Sequence, residues 1–115
     1  MTAYAIAHFR NHPGPHPDIV AYLERIQDTL DPYSGRFLVH GGRMEVREGE
    51  PPASVVVIGF PGPDEARAWY DSAAYQEILP LRTAHIDGGA LLVEGVGPDY
   101  HPRQRIDALR AAAGA

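Results

Sequence analysis

Runs of β-forming residues and stretches of helical periodicity alternate along this 115-residue chain in the order strand, helix, strand, strand, helix, strand. That order predicts an α+β fold of the ferredoxin-like split βαβ type: a four-stranded antiparallel sheet with its helices on one face. A second observation concerns the strands themselves. Those expected in the centre are apolar on both faces, although the helices can cover only one. A two-fold homodimer, with two sheets packed through their open faces, is the economical solution. Third, 44% of the residues are hydrophobic, enough for one well-formed core at this length.

Residues 3–10 read as the first strand, with Tyr4, Ile6 and His8 alternating with Ala5, Ala7 and Phe9. Three prolines and a glycine make residues 11–17 a loop. Pro17 and Asp18 suit the first turn of a helix, and Ile19, Leu23, Ile26 and Leu30 give it an apolar stripe ending at Asp31-Pro32. Residues 36–47 are predicted to form a second strand, bent or bulged at Gly41-Gly42, with His40 on the same face as Leu38. A polar turn over residues 48–52 leads into Ser54–Phe60, the strongest strand, where Val55, Val56, Val57 and Ile58 follow one another. Pro63, Asp64 and Glu65 open the second helix, whose buried side carries Ala66, Trp69, Tyr70 and Ala73. Ser72 is an expected N-cap for a further helical segment through Arg82, which Pro80 should kink or interrupt. Residues 90–96 are the last strand. The domain is assigned to residues 1–96, and residues 97–115 to an extension in which Ile106, Leu109 and the following alanines form a short helix.

Composition excludes several functions. The net charge of −5 argues against nucleic acid, which needs a basic face. All ten basic residues are arginine, so Schiff-base and lysine-base chemistry is absent. Without cysteine there is no disulfide, thiolate nucleophile or thiolate metal site. No apolar run is long enough to span a membrane. Residues 1–10 lack a basic region followed by an apolar one, so no signal peptide is expected and a cytoplasmic location is the default.

Three segments carry a family resemblance: Phe37-Leu38-Val39-His40-Gly41-Gly42, then Trp69 to Tyr75, then Leu79-Pro80-Leu81-Arg82, with a closing Val93-Glu94-Gly95. Together they resemble the domain-of-unknown-function 1330 family, within the dimeric α/β-barrel superfamily, over about residues 2–96. The resemblance implies a ferredoxin-like protomer, a sheet-to-sheet dimer and a cavity between sheet and helices. It implies no reaction. Superfamily relatives include cofactor-free monooxygenases, haem-processing enzymes, muconolactone isomerases and stress-response proteins.

His40 and Glu94 are the candidate catalytic residues. Imidazole moves protons near neutral pH, and Glu94 interrupts an apolar strand, where a carboxylate must be paired or protonated. Arg82 is the expected partner of Glu94, or else the anchor of an anionic substrate. Tyr70, Tyr75 and Trp69, with His8 and Arg36 behind them, complete a substrate-binding set for a small acidic or aromatic compound. The plainer reading makes His40 a structural histidine, Arg82–Glu94 a structural ion pair and the aromatic residues core, in a non-catalytic binding or assembly module. His8, His12 and His16 have helical metal-ligand spacing, but Pro13, Pro15 and Pro17 forbid that helix, so no metal site is expected. No serine lies in a G-x-S-x-G context and no phosphate-binding glycine loop is present, so no cofactor is assigned.

Overall fold

The computed structural model describes residues 1–114. Strand β1 (Ala3–Phe9) runs through the middle of the sheet, paired antiparallel to β3 (Ser54–Phe60) on one side and to β4 (Gly88–Glu94) on the other. Strand β2 (Arg36–His40) pairs antiparallel with β3, giving the order β2-β3-β1-β4 of the ferredoxin-like fold. Helices α1 (Pro17–Leu30), α2 (Pro63–Asp71) and α3 (Ala73–Thr83) cover one face. A 3-10 turn, Asp31–Tyr33, follows α1, and a fourth helix, α4 (Pro102–Gly114), lies beyond the sheet with its described side chains exposed.

The start of α1 reflects local chemistry. His16 is the N-cap, its Nδ1 accepting from the Asp18 amide at 3.1 Å, with Pro17 where no backbone donor is needed. Ser72 ends α2 in an extended conformation and caps α3, its Oγ accepting from the Tyr75 amide at 3.2 Å. Helix α3 runs through Pro80 as one continuous element, so the expected interruption does not occur. The missing donor costs one bond to the carbonyl of Gln76, an exposed residue, where water can replace it.

Ala3, Ala5, Ile58 and Phe60 from the sheet meet Tyr22, Ile26, Leu30, Trp69, Tyr75 and Ile78 from the helices. Leu30 and Ile78 have no solvent exposure. Leu30→Ala should therefore cost about 3 kcal/mol, the removed methyls plus the void they leave. Urea unfolding at fixed protein concentration checks this; a loss under about 1 kcal/mol would mean the core collapses around the gap.

Strand β2 departs from its expected extent. It stops at His40 and does not continue to Arg47, because Gly41 turns the chain with φ +65° and residues 41–53 form an irregular connection to β3. The bulge lies at Leu38, between Phe37 and Val39, and not at the glycine pair. This displaces the alternation by one. Phe37 stands opposite Ile58 and His40 opposite Val56, so His40 shares the helix-covered face with Phe37, and not a face with Leu38. Strand β4 begins two residues before its expected start, at Gly88 (φ +155°), where a Cβ would sit 2.1 Å from the His8 carbonyl oxygen. Only glycine allows β1 and β4 to approach there.

The opposite sheet face carries Ile6, Val55, Val57, Leu91 and Val93, joined at the β2 edge by Leu38 and Val39. Leu38, Val39, Leu91 and Val93 are each more than 40% exposed. Among the described residues nothing covers them.

Candidate functional site

A cavity of about 610 Å³ lies between the sheet and the helices. Its sheet wall is built by small residues of β1, Ala5 and Ala7, which leave room that larger side chains would fill. Its other walls are aromatic: Phe9, Phe37, Tyr22, Trp69, Tyr70 and Tyr75. Trp69 and Tyr75 rings lie 4.1 Å apart between centroids, and Tyr70 and Tyr75 lie 5.5 Å apart. The Trp69 indole N–H donates to Thr29 Oγ1 at 3.0 Å, and that hydroxyl donates to the Ile26 carbonyl at 2.7 Å. Trp69 is thus a wall whose polar atom is already satisfied.

Arg82 is the charged group of the interior. It is 8% exposed, with its guanidinium 5.3 Å from the Phe9 ring centroid and 5.8 Å from that of Tyr22. The hydroxyls of Tyr22 and Tyr75 are 2.7 Å apart and bonded to each other. Burial works to lower the Arg82 pKa, but the Tyr75 and Tyr22 hydroxyls outweigh it, leaving the group above its ordinary value and charged. Burial, followed by the Tyr75 neighbour, pushes Tyr22 above the usual phenol range, with Arg82 pulling the other way; Tyr22 stays neutral. Among the described residues Arg82 has no carboxylate within ion-pair distance. Among the described residues its closest polar neighbours are the Tyr75 and Tyr22 hydroxyls, too loosely placed for hydrogen bonds of ordinary geometry, yet none of its nitrogens is an enclosed atom without a partner. The guanidinium nitrogens therefore open into the cavity.

The expected Arg82–Glu94 pair does not form. Glu94 ends the edge strand β4 opposite Ala3, exposed and outside the cavity lining. It shares the helix-covered side of β4 with Leu92, but on this edge strand it remains exposed. His8 is exposed beside Gly89 on the open sheet face, and Arg36 is exposed on the same face opposite Gly59. Neither lines the cavity. His40, Arg82, Tyr70, Tyr75 and Trp69 do. His40 is exposed at the rim, its ring stacked on Phe37 at 4.4 Å and 11°.

Tyr22 and His12 also line the cavity and were not singled out as ligand-facing. Tyr22 sits beside the Ile19-Leu23-Ile26 stripe, and that adjacency was the available signal. His12 belongs to the proline-rich loop, whose path over the mouth no periodicity records. The loop is fastened by a bidentate pair from Arg10 to Asp87 at 3.0 and 3.1 Å and by the Asn11 amide donating to the His85 carbonyl at 3.0 Å. The Arg10 hydrogen bond, then its charge, holds Asp87 below the usual carboxyl range. That contribution is present above the ordinary carboxyl pKa and fades as pH falls through the lowered value; full exposure keeps it small.

Residues 2–96 match the sequence profile described as Domain of unknown function (DUF1330). The chain belongs to this family. No curated protein matches the DUF1330 chain. Solved structures similar to it include a protein of unknown function from Rhodopseudomonas palustris, at 16% identity, 84% coverage of each chain and TM-score 0.63. A dimeric ferredoxin-like protein of unknown function from Jannaschia sp. is 14% identical, over 84% of this chain and all of the other (100%), at TM-score 0.55. SnoaB, a cofactor-independent oxygenase from Streptomyces nogalater, is 12% identical, over 87% of this chain and 96% of the other, at TM-score 0.50. At these identities the likeness establishes the fold alone. No helix among the described residues is long and apolar enough to cross a membrane.

Proposed function

We propose that this DUF1330 protein binds a small planar anion, an aromatic carboxylate or phenolate, in the cavity, with Arg82 as its anchor. One observation carries the reading: a buried, charged guanidinium without an acidic partner opens into an aromatic-walled space. Burying a charge is costly unless an opposite charge meets it, and the missing charge fits a ligand. Tyr70, Tyr75 and Trp69 would hold the ring, while the Tyr22 and Tyr75 hydroxyls offer hydrogen bonds beside the anion.

His40, at the rim, is the proposed acid or base. In an isomerisation it would take a proton from one carbon and return it to another, which balances without a cofactor. Cofactor-free oxygenation begins with the same deprotonation, and the fold likeness to SnoaB makes it the second reaction to assay. Glu94, exposed and outside the cavity lining, has no part in this scheme. The partner proposed for the open sheet face is a second copy of the chain.

Calorimetric titration with benzoate, salicylate and 4-hydroxyphenylacetate tests the binding. At least one should bind with micromolar to sub-millimolar affinity, and a neutral benzamide should not. His40→Gln should leave that affinity within about threefold and remove any turnover, since the residue moves protons and does not hold the anion. Binding without turnover in either protein would favour a ligand-binding module, a reading supported by Glu94 lying outside the cavity lining. No binding by any acid would overturn both.

A further inference from the structure

His16, Asp18 and His85 come together beside the cavity mouth, from two pieces of chain. His16 precedes α1, Asp18 lies in its first turn, and His85 follows α3. Asp18 Oδ2 is 2.8 Å from His85 Nε2 and 4.0 Å from His16 Nδ1. The two imidazole rings face each other, with centroids 3.7 Å apart at 32°. One ligand atom from each residue can be chosen so that all three lie within 4.8 Å of one another. His85 is the most covered, its side chain 25% exposed, and the other two are just under half exposed.

We infer that this triad is a binding site for a divalent cation of the zinc class, and that the bound ion staples the mouth loop to the segment after α3. Two imidazole nitrogens and one carboxylate oxygen form a borderline donor set. It suits Zn²⁺, Co²⁺ or Ni²⁺ and is poorly matched to Mg²⁺ or Ca²⁺, which take oxygen ligands. Tetrahedral zinc with ligands at about 2.0–2.1 Å holds its donors about 3.3 Å apart. The separations of 2.8 and 4.0 Å lie on either side of that value, so small side-chain rotations complete the set. The His16 Nδ1 lone pair now receives the Asp18 amide, so a metal on that atom replaces a helix cap, whereas one on Nε2 leaves it in place. The helix N-terminus opposes a cation, and the Asp18 carboxylate offsets it.

The position gives the site a consequence. His12, Pro13 and Gly14 precede His16, Ile19 follows Asp18 and Ile86 follows His85, and all five line the cavity. The Asp87 amide donates to Asn11 Oδ1 at 2.6 Å, so the same two segments are already latched beside the triad. A metal there would fix the mouth without entering the cavity. The inference stands apart from the anion-binding reading, since none of the three residues lines the cavity.

The test uses protein without a histidine tag, stripped with a chelator and titrated with Zn²⁺ and Co²⁺ by calorimetry and thermal melting. The expected result is one equivalent per chain with micromolar affinity, a rise in Tm of at least about 3 °C at saturation, and visible Co²⁺ absorption of a low-coordinate nitrogen–oxygen site. Mg²⁺ and Ca²⁺ should not shift the melt. His85→Gln and His16→Gln should each weaken binding at least 30-fold, while His101→Gln and His12→Gln should not. Asp18→Asn keeps an oxygen for His85 but loses the anion; it should weaken Zn²⁺ at least tenfold with the metal-free Tm unchanged within about 2 °C. No saturable Zn²⁺ binding below millimolar, or equal affinity in His85→Gln and His16→Gln, would overturn the site and leave the triad a hydrogen-bonded latch.

Discussion

Arg82→Met is expected to abolish binding of aromatic carboxylates while leaving the ligand-free protein about as stable as before. The two effects have opposite origins. In the complex, removing one partner of a desolvated charge pair costs about 3 kcal/mol or more, which is a factor of at least about 10² in Kd. In the free protein the guanidinium has no carboxylate to lose, and its removal ends the cost of keeping a charge from water. Against that relief stand two cation–π contacts, with Phe9 and Tyr22, each worth roughly 0.5–2 kcal/mol. Methionine also keeps most of the buried stem, so the net change should stay within about 1 kcal/mol. A structural role predicts the reverse: a large fall in Tm, with whatever folded protein remains still binding the acid. Thermal melts and calorimetry on the same two samples separate these outcomes. Arg82→Lys sharpens the comparison, because a point charge without the planar fork should recover only part of the affinity.

The difference between what the sequence disclosed and what it hid is local. Periodicity identified β1, α1 and β3, because each buries a face and the burial dictates the repeat. It also placed Trp69, Tyr70, Tyr75 and Arg82 together, since α2 and α3 present them to the same sheet face. It misplaced His40, because a bulge inserts one residue and reverses every later side chain, and Leu38 carries no mark that distinguishes it from a regular strand residue. The Gly41-Gly42 pair was visible as a disturbance, but its effect is to end the strand and not to bend it. Glu94 misled for a different reason: alternation gives the face a residue points to, but not whether anything covers it on an edge strand. The His16–Asp18–His85 cluster joins positions far apart in the chain, and nothing in the spacing of His8, His12 and His16 indicated His85.

Val57→Asp should convert the proposed dimer to a monomer. Val57 lies on β3, next to the central β1, on the sheet face that no helix covers, flanked by Ile6 on the neighbouring strand. With apolar neighbours on three strands, that face is the proposed contact with a second copy, and a two-fold contact there would bury Val57 of each protomer in the same interface. The two-fold symmetry doubles the effect. An unpaired carboxylate in a dry interface costs about 3 kcal/mol, so two per dimer cost about 6 kcal/mol, roughly 10⁴ in the dimer dissociation constant. A protomer released into water exposes the new carboxylate, so its own fold should lose little. Sedimentation or native mass measurement at micromolar concentration should then find the parent at twice the chain mass and the variant at the chain mass. An Asp on the exposed surface of α1, at Val20, provides the control and should remain dimeric. A parent that sediments as a monomer would remove the second copy as the occupant of this face. Equal dimerisation of parent and Val57→Asp would move the interface elsewhere.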